Sequence, residues 1–253
     1  MAAYAASKMD SIDKVRLRSG YAVVSGKARG LQMHYSFRTV LDEFTKQAPV
    51  LREGKIVMVD PLTEKERFCL PDPVGEVEGY FTIHSELVTL PYNMGKGVRE
   101  MDFIVAYEPE FTQTLAVISN LGLAGRKEVA IGNAQVAPFE VISTLVDAIP
   151  KETTLDVDIQ QVKIEGWNGN DKVAVRCDAV TFPHSRWNIG GGTVDTGVPP
   201  SIAAQWIASG KVEAKGVVPP EVCIDPLPYF RELNARGRGV KVYETIETKK
   251  SLF

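Results

Sequence analysis

The stretch 155–181 constrains the fold more than any other. Leu155, Val157, Ile159, Val162 and Ile164 lie on one side of Asn168-Gly169, and Val173, Val175 and Val180 lie on the other. Asn-Gly between two β-rich runs is the strongest short signal for a hairpin, because both residues tolerate the positive φ of a tight turn. Polar residues interleave with the apolar ones along both arms. One sheet face is therefore expected to be buried, and the other partly wet or paired with another subunit.

The remaining segments supply strands and helices in a mixed order. The alanine-rich start, residues 1–9, reads as a helix piece without a cap, because Met1 already lies inside the apolar pattern. Ile12, Val15 and Leu17, then Tyr21 to Val24, read as strands around Gly20. Phe37 to Phe44 fits a helix with Phe37, Leu41 and Phe44 on one face. Gly54 to Val59, Gly79 to Ile83 and Met101 to Ala106 have strand character, and Pro61, Pro71 and Pro73 mark a loop-rich middle. Pro109 opens a helix in which Phe111, Leu115, Ile118 and Leu121 keep helical spacing until Gly122. A shorter helix runs from Phe139 to Val146. Pro199 and Pro200 open another, carrying Ile202, Trp206 and Ile207, which Gly210 ends; Trp206 reads as core. Asp225 caps a last helix with Pro226 first, Leu227, Phe230 and Leu233 inward and Gly237 as the stop. Val240 to Ile246 closes as a strand. This order predicts an α+β fold, a mixed and largely antiparallel sheet with helices packed on one face, rather than a doubly wound one.

Composition narrows the partners. With 44% hydrophobic and 24% charged residues, the chain can bury a real core. A net charge of -3 argues against a nucleic-acid partner, which would usually call for a basic surface. No apolar run approaches the ~18 residues of a membrane span, so no membrane partner is expected. The start lacks the basic n-region of a signal peptide. Cys69, Cys177 and Cys223 are far apart and odd in number, which argues against a disulfide framework and for a reducing cytoplasm. Cys69 and Cys177 read as packed small hydrophobes rather than nucleophiles.

Several familiar sites are excluded. A dinucleotide fingerprint needs Gly-x-Gly-x-x-Gly between a strand and a helix, and none is present. Gly190-Gly191-Gly192 lacks that spacing and reads as a flexible loop. Gly20 to Lys27 resembles a phosphate-binding loop only superficially: five residues separate its glycines instead of four, and Ala28 stands where a hydroxyl would hold magnesium. His34, His84 and His184 are scattered, with no Cys-x-x-Cys or His-x-x-x-His pair, so no metal site is expected. His84-Ser85-Glu86 is similar to the His-x-Glu of zinc deaminases, but the Cys-x-x-Cys partner is missing.

Some stretches carry more unusual residues. Gly54-Lys55-Ile56-Val57, Pro61-Leu62, Phe68 to Gly75, and His84-Ser85-Glu86-Leu87-Val88-Thr89-Leu90-Pro91 resemble the catalytic domain of the saccharopine dehydrogenase family. Within it they look most like the lysine 6-dehydrogenase branch. Thr196-Gly197-Val198-Pro199-Pro200-Ser201-Ile202-Ala203-Ala204 and Lys215 to Glu221 resemble the segment after that domain. The resemblance implies a nicotinamide-dependent amino-acid oxidoreductase whose Rossmann domain is absent here. It divides the chain into residues 1–10, a helix leaving that domain; residues 11–192, a substrate-binding and dimerising domain; and residues 193–253, C-terminal helices that would pack on the Rossmann domain. NAD or NADP is implied for the complete enzyme, and neither is expected to bind this chain tightly. A homodimer is implied, with a separate Rossmann subunit as a further possible partner.

The implied chemistry is hydride transfer at a carbon bearing an amine, as in oxidative deamination of lysine in lysine degradation. It needs a cation for a carboxylate, an anion or dipole for the amine, and a group that moves protons. Tyr35-Ser36-Phe37-Arg38 resembles the stretch lining the family's cleft, with Arg38 as a bidentate carboxylate clamp or else an ordinary surface arginine. His84 and Glu86 would share a face on a strand, as amine-binding carboxylate and proton carrier or as a structural pair. Thr89 and Pro91 would shape the same loop, and Lys96-Gly97-Val98 looks like the glycine turn near the cleft. Two other readings stay open: a saccharopine or carboxynorspermidine reductase-type enzyme with a longer cleft, and a non-catalytic dimerising or ligand-binding module.

Overall fold

A computed structural model describes residues 1–26, 31, 33, 35–150, 154–236 and 239–250. In chain order the elements are α1 (Ala2–Ala6), β1 (Ser11–Ser25), α2 (Phe37–Thr45), β2 (Ala48–Arg52), β3 (Lys55–Val59), β4 (Lys65–Cys69), β5 (Glu76–Phe81), α3 (Glu86–Asn93) and β6 (Glu100–Ala106). There follow α4 (Pro109–Asn120), β7 (Val129–Ile131), β8 (Ala134–Val136), α5 (Pro138–Asp147), β9 (Leu155–Asn168), β10 (Asp171–Thr181), α6 (Gly191–Ala208), α7 (Pro220–Cys223), α8 (Pro226–Ala235) and β11 (Val240–Lys249).

The long hairpin is the centre of the sheet. β9 pairs antiparallel with β10 on one side and with β1 on the other. The main path of the nine-stranded sheet runs β11-β10-β9-β1-β6-β2-β3, and the β4–β5 hairpin joins through β6. The β1–β6 pair is parallel and the other pairings are antiparallel, which gives the mixed α+β architecture expected from the sequence. The turn sits one residue later than the Asn-Gly signal suggested. Asn168 pairs with Asp171, so Gly169 and Asn170 are the central residues. Gly169 has a φ of 58° and Asn170 is not in the positive region, as a turn with glycine in its first central position requires.

Four further expectations are corrected. β1 is one continuous strand, not two, because its backbone stays paired on both sides through Gly20. A side chain at Gly20 would meet Leu70, so the glycine serves close packing rather than a break. α6 begins at Gly191, so Pro199 and Pro200 lie inside a helix they were expected to open, and the three glycines are a helix start rather than a loop. Asp156 explains this: its carboxylate accepts the Gly192 N–H at 2.9 Å and caps the helix from a neighbouring strand. Cys69 is exposed, not packed, whereas Cys177 is fully buried and its thiol is pushed up to about 11 by that burial. Gly237 lies outside the described residues; α8 is capped at its start by Asp225, whose carboxylate accepts the Leu227 N–H at 3.2 Å.

Packing places the helices. On one sheet face Val15, Leu17, Met101, Phe103, Val162, Ile164 and Val175 meet α1 and the α3 residues Leu87 and Leu90. Farther along, α6 and α8 cover Ala179 and Val240 with Ile202, Trp206 and Leu233. The inward faces of α2, α4 and α5 build a separate core from Phe37, Leu41, Phe44, Leu115, Ile118 and Phe139. Trp206 is core, as its spacing predicted, with Tyr229 edge-on at 5.6 Å. The opposite sheet face buries charge. Arg18 and Asp102, both buried, pair at 2.5 Å; Arg18 also reaches Glu66 at 2.7 Å, and Arg16 bonds the second Asp102 oxygen.

Candidate functional site

Between the helix-bearing sheet face and helices α2, α3, α6 and α8 lies a cleft of about 860 Å³. Its floor comes from β9. Asp156, Asp158 and Gln160 alternate along the strand and so project to the same side. α6 brings Asp195 beside them, within hydrogen-bonding reach of Asp158 and Gln160. Burial, and then the repulsion and hydrogen bond of Asp158, hold the Asp195 carboxyl far above its usual range. Gln160 ties the floor to the next strand through Ser19, at 2.9 Å, and to Asp158 at 2.8 Å.

The opposite wall is aromatic and acidic. Glu43 sits on the inner face of α2 and is only 5% exposed. Its Oε2 accepts the hydroxyls of Tyr35 at 2.7 Å and Tyr107 at 2.6 Å, and the two hydroxyls also touch each other. Burial pushes the Glu43 carboxyl up, while both phenols and His84 pull it down. Burial, together with Glu43, raises both phenols well beyond the usual tyrosine value. Tyr21 donates to Glu108, and its ring stands edge-on to Tyr107 at 6.5 Å.

His84 and Glu86 form the third group. His84 leaves the end of β5 in an extended segment, and Glu86 is the first residue of α3. They do not share a strand face as expected; the bend at Ser85 brings them together instead. The His84 Nδ1 is hydrogen-bonded to Glu86 Oε2, and the imidazole stacks on Phe103 at 3.8 Å. Burial works against a charged His84, but the bond to Glu86 and the attraction of Glu86 and Glu43 hold its pKa above the ordinary value. For Glu86, burial opposes the charge and His84 prevails, lowering its pKa.

Of the residues singled out from the sequence, Tyr35, His84, Glu86 and Thr89 line this cleft. Arg38 does not. It lies on the outer face of α2, away from the cleft lining, where its exposed guanidinium makes a bidentate pair with Glu140 at 2.9 and 2.7 Å. Ser36 is the N-cap position of α2 and Pro91 lies within α3, both outside the lining. Gly97 belongs to a turn in which Gly95, Lys96 and Gly97 all have positive φ. That turn serves the fold: the Lys96 ammonium donates to the carbonyls of Ala6 and Met9 at 2.8 and 2.6 Å and closes the end of α1.

The implied nucleotide can be tested against the described residues alone. A pyrophosphate needs backbone amides at a glycine turn and a helix N-terminus. Among the described residues the glycine-rich helix start is that of α6, and it is already taken. Asp156 accepts the Gly192 amide, and a Cβ at Gly190 would overlap the same carboxylate. An anion there would meet a buried negative charge, so the residues present do not fit the group.

Fold and cleft together define an α+β ligand-binding domain with an acidic, tyrosine-lined pocket on one sheet face. The comparisons with known proteins bear on its family and fold. The family model of the saccharopine dehydrogenase C-terminal domain matches residues 6–238. The chain belongs to that family. Its fold is similar to apo saccharopine dehydrogenase (L-Glu forming) from Saccharomyces cerevisiae, with a TM-score of 0.67, 14% identity, and coverage of 96% of this chain and 71% of that one.

Proposed function

We propose that this chain is the substrate-binding part of a nicotinamide-dependent oxidoreductase acting on the amine-bearing carbon of a cationic amino acid, with lysine 6-dehydrogenase-like deamination as the reaction. The observation that carries this is the charge of the cleft. Glu86, Asp156, Asp158 and Glu221 line it, joined by Glu43 and Asp195, whose burial raises their pKa values, and the one guanidinium among the described lining residues, Arg18, is committed to Asp102 and Glu66. Such a wall attracts ammonium groups and repels carboxylates. Saccharopine-type substrates carry several carboxylates and would need cations that the described lining does not offer. A carboxynorspermidine-type substrate, with a polyamine arm, is the second reading; the several acidic side chains in the lining favour it.

In this reading Asp158 and Asp195 receive one ammonium group of the substrate. The His84–Glu86 pair handles the proton at the reacting amine, since a group for that step must sit within hydrogen-bonding reach and the pair lines the cleft. The hydride acceptor comes from a nucleotide-binding domain outside residues 1–253, against which α1 and the C-terminal helices lie. The chain pairs as a homodimer through its sheet. Purified chain should bind L-lysine and should bind neither NAD nor NADP, with or without lysine, in titration calorimetry. Micromolar binding of either nucleotide would contradict this reading, and so would the absence of lysine binding, which would leave a purely dimerising module.

A further inference from the structure

The wall formed by Tyr35, Tyr107 and Glu43 has a proton-counting problem. Three oxygens, the two phenol hydroxyls and Glu43 Oε2, lie within hydrogen-bonding distance of one another. Three contacts need three protons, and the two phenols supply two. When both donate to an ionised Glu43, as the geometry shows, the phenol oxygens face each other with no proton between them. That arrangement concentrates acceptor charge in a buried place, where an unmet acceptor is costly.

We propose that this oxygen triangle is the seat of the substrate's reacting ammonium, whose N–H groups supply the missing donor and whose charge balances Glu43. This deepens the reading of the cleft as an amine site and rests on it. The geometry supports it in three ways. Glu43 is nearly fully buried yet lines the cleft, so an ammonium that reaches it meets a carboxyl with little competing solvent contact. Its bonds to the tyrosines converge on Oε2, leaving Oε1 for an incoming donor. Tyr21 and Tyr107 line the same cleft, with Tyr107 stacked on Phe111 at 5.3 Å, so the wall beside Glu43 is aromatic and held in place.

On this proposal the third proton in the empty cleft is Glu43's own, a state that its burial favours. A protonated carboxyl donates to one phenol and completes the ring of bonds. Binding of R–NH3+ then releases that proton to solvent, leaving a carboxylate paired with the ammonium; atoms and charge balance. The titratable groups around Glu43 are Tyr35 and Tyr107 in direct contact, His84 held by Glu86, Asp158 near Tyr35, and Glu108 bonded to Tyr21. Asp42, next to it on α2, points outward to Lys46 and Arg126.

The test is calorimetric titration of the purified chain with L-lysine and with 1,5-diaminopentane, at mildly acidic pH, in buffers of different ionisation enthalpy. Wild type should release about one proton per amine bound, with the release fading as pH rises. Glu43→Gln should lose the release and weaken binding about tenfold or more. Tyr107→Phe, which keeps the ring, should weaken binding less. Release that persists in Glu43→Gln assigns the proton to Asp195 or His84 and overturns the proposal. Lysine binding by wild type without proton release also overturns it, whether or not the variants fold, but leaves the amino-acid reading standing. No lysine binding at all overturns both.

Discussion

Single residues divide sharply by whether their partners are near in sequence. His84 and Glu86 were legible because one bend joins them, and Tyr35 because it lies in an unusual local run. Glu43, Tyr107, Asp158 and Asp195 were not, because they converge from α2, the end of β6, β9 and α6. Arg38 misled for a related reason: its type suits carboxylate binding, but only the packing of α2 against α5 reveals Glu140 as its partner. Two predictions belong here. The His84–Glu86 pair should make stability pH-dependent in a defined window. Glu86's lowered pKa gives a contribution present above the ordinary glutamate value of ~4.3 and lost as pH falls through the folded pKa. His84's raised pKa gives one present below ~6.5 and lost as pH rises through its folded value. The difference in stability between wild type and Glu86→Gln should therefore peak between those values and shrink on both sides in chemical denaturation. A difference that does not vary with pH would show that the pair is not charged. On the far sheet face, Asp102→Ala leaves Arg18 buried without its partner and should cost about 3–5 kcal/mol in the same assay; a loss below about 1 kcal/mol would show that Glu66 suffices.

At the scale of elements, hydrophobic period and turn chemistry found the major helices and the hairpin. They missed α3, α7, β2, β4 and the β7–β8 hairpin, which are short or weakly periodic. They also misplaced the start of α6, since a helix cap supplied by a strand 36 residues away leaves no local trace. One signal in β9 was available and went unread. Its apolar residues change phase, from Leu155, Val157 and Ile159 to Val162 and Ile164. A strand that changes its buried face midway leaves polar Asp156, Asp158 and Gln160 on the side that the helices cover elsewhere, and that is where the cleft opens. The α6 start gives a third prediction. A Cβ at Gly191 would overlap the Thr181 carbonyl and crowd the Asp158 backbone. Gly191→Ala should cost about 1–3 kcal/mol and should weaken lysine binding, because Asp195 rides on the displaced turn. Unchanged melting would mean that the helix start is free to shift.

The molecule as a whole is a sheet with an acidic cleft on one face, which the proposed function reads as a seat for a cation. Fold class and family could be read from pattern and resemblance, because a long hairpin and a run such as His84 to Pro91 survive as local text. The sign of the cleft's charge could not, because it is a sum over side chains that only the tertiary structure brings together. The central claim is that this sum selects positive substrates. Competition calorimetry on the purified chain at neutral pH, L-lysine against L-glutamate, tests it most directly. Lysine should bind, and glutamate should neither bind measurably nor displace it. Glutamate binding as tightly as lysine would contradict the account.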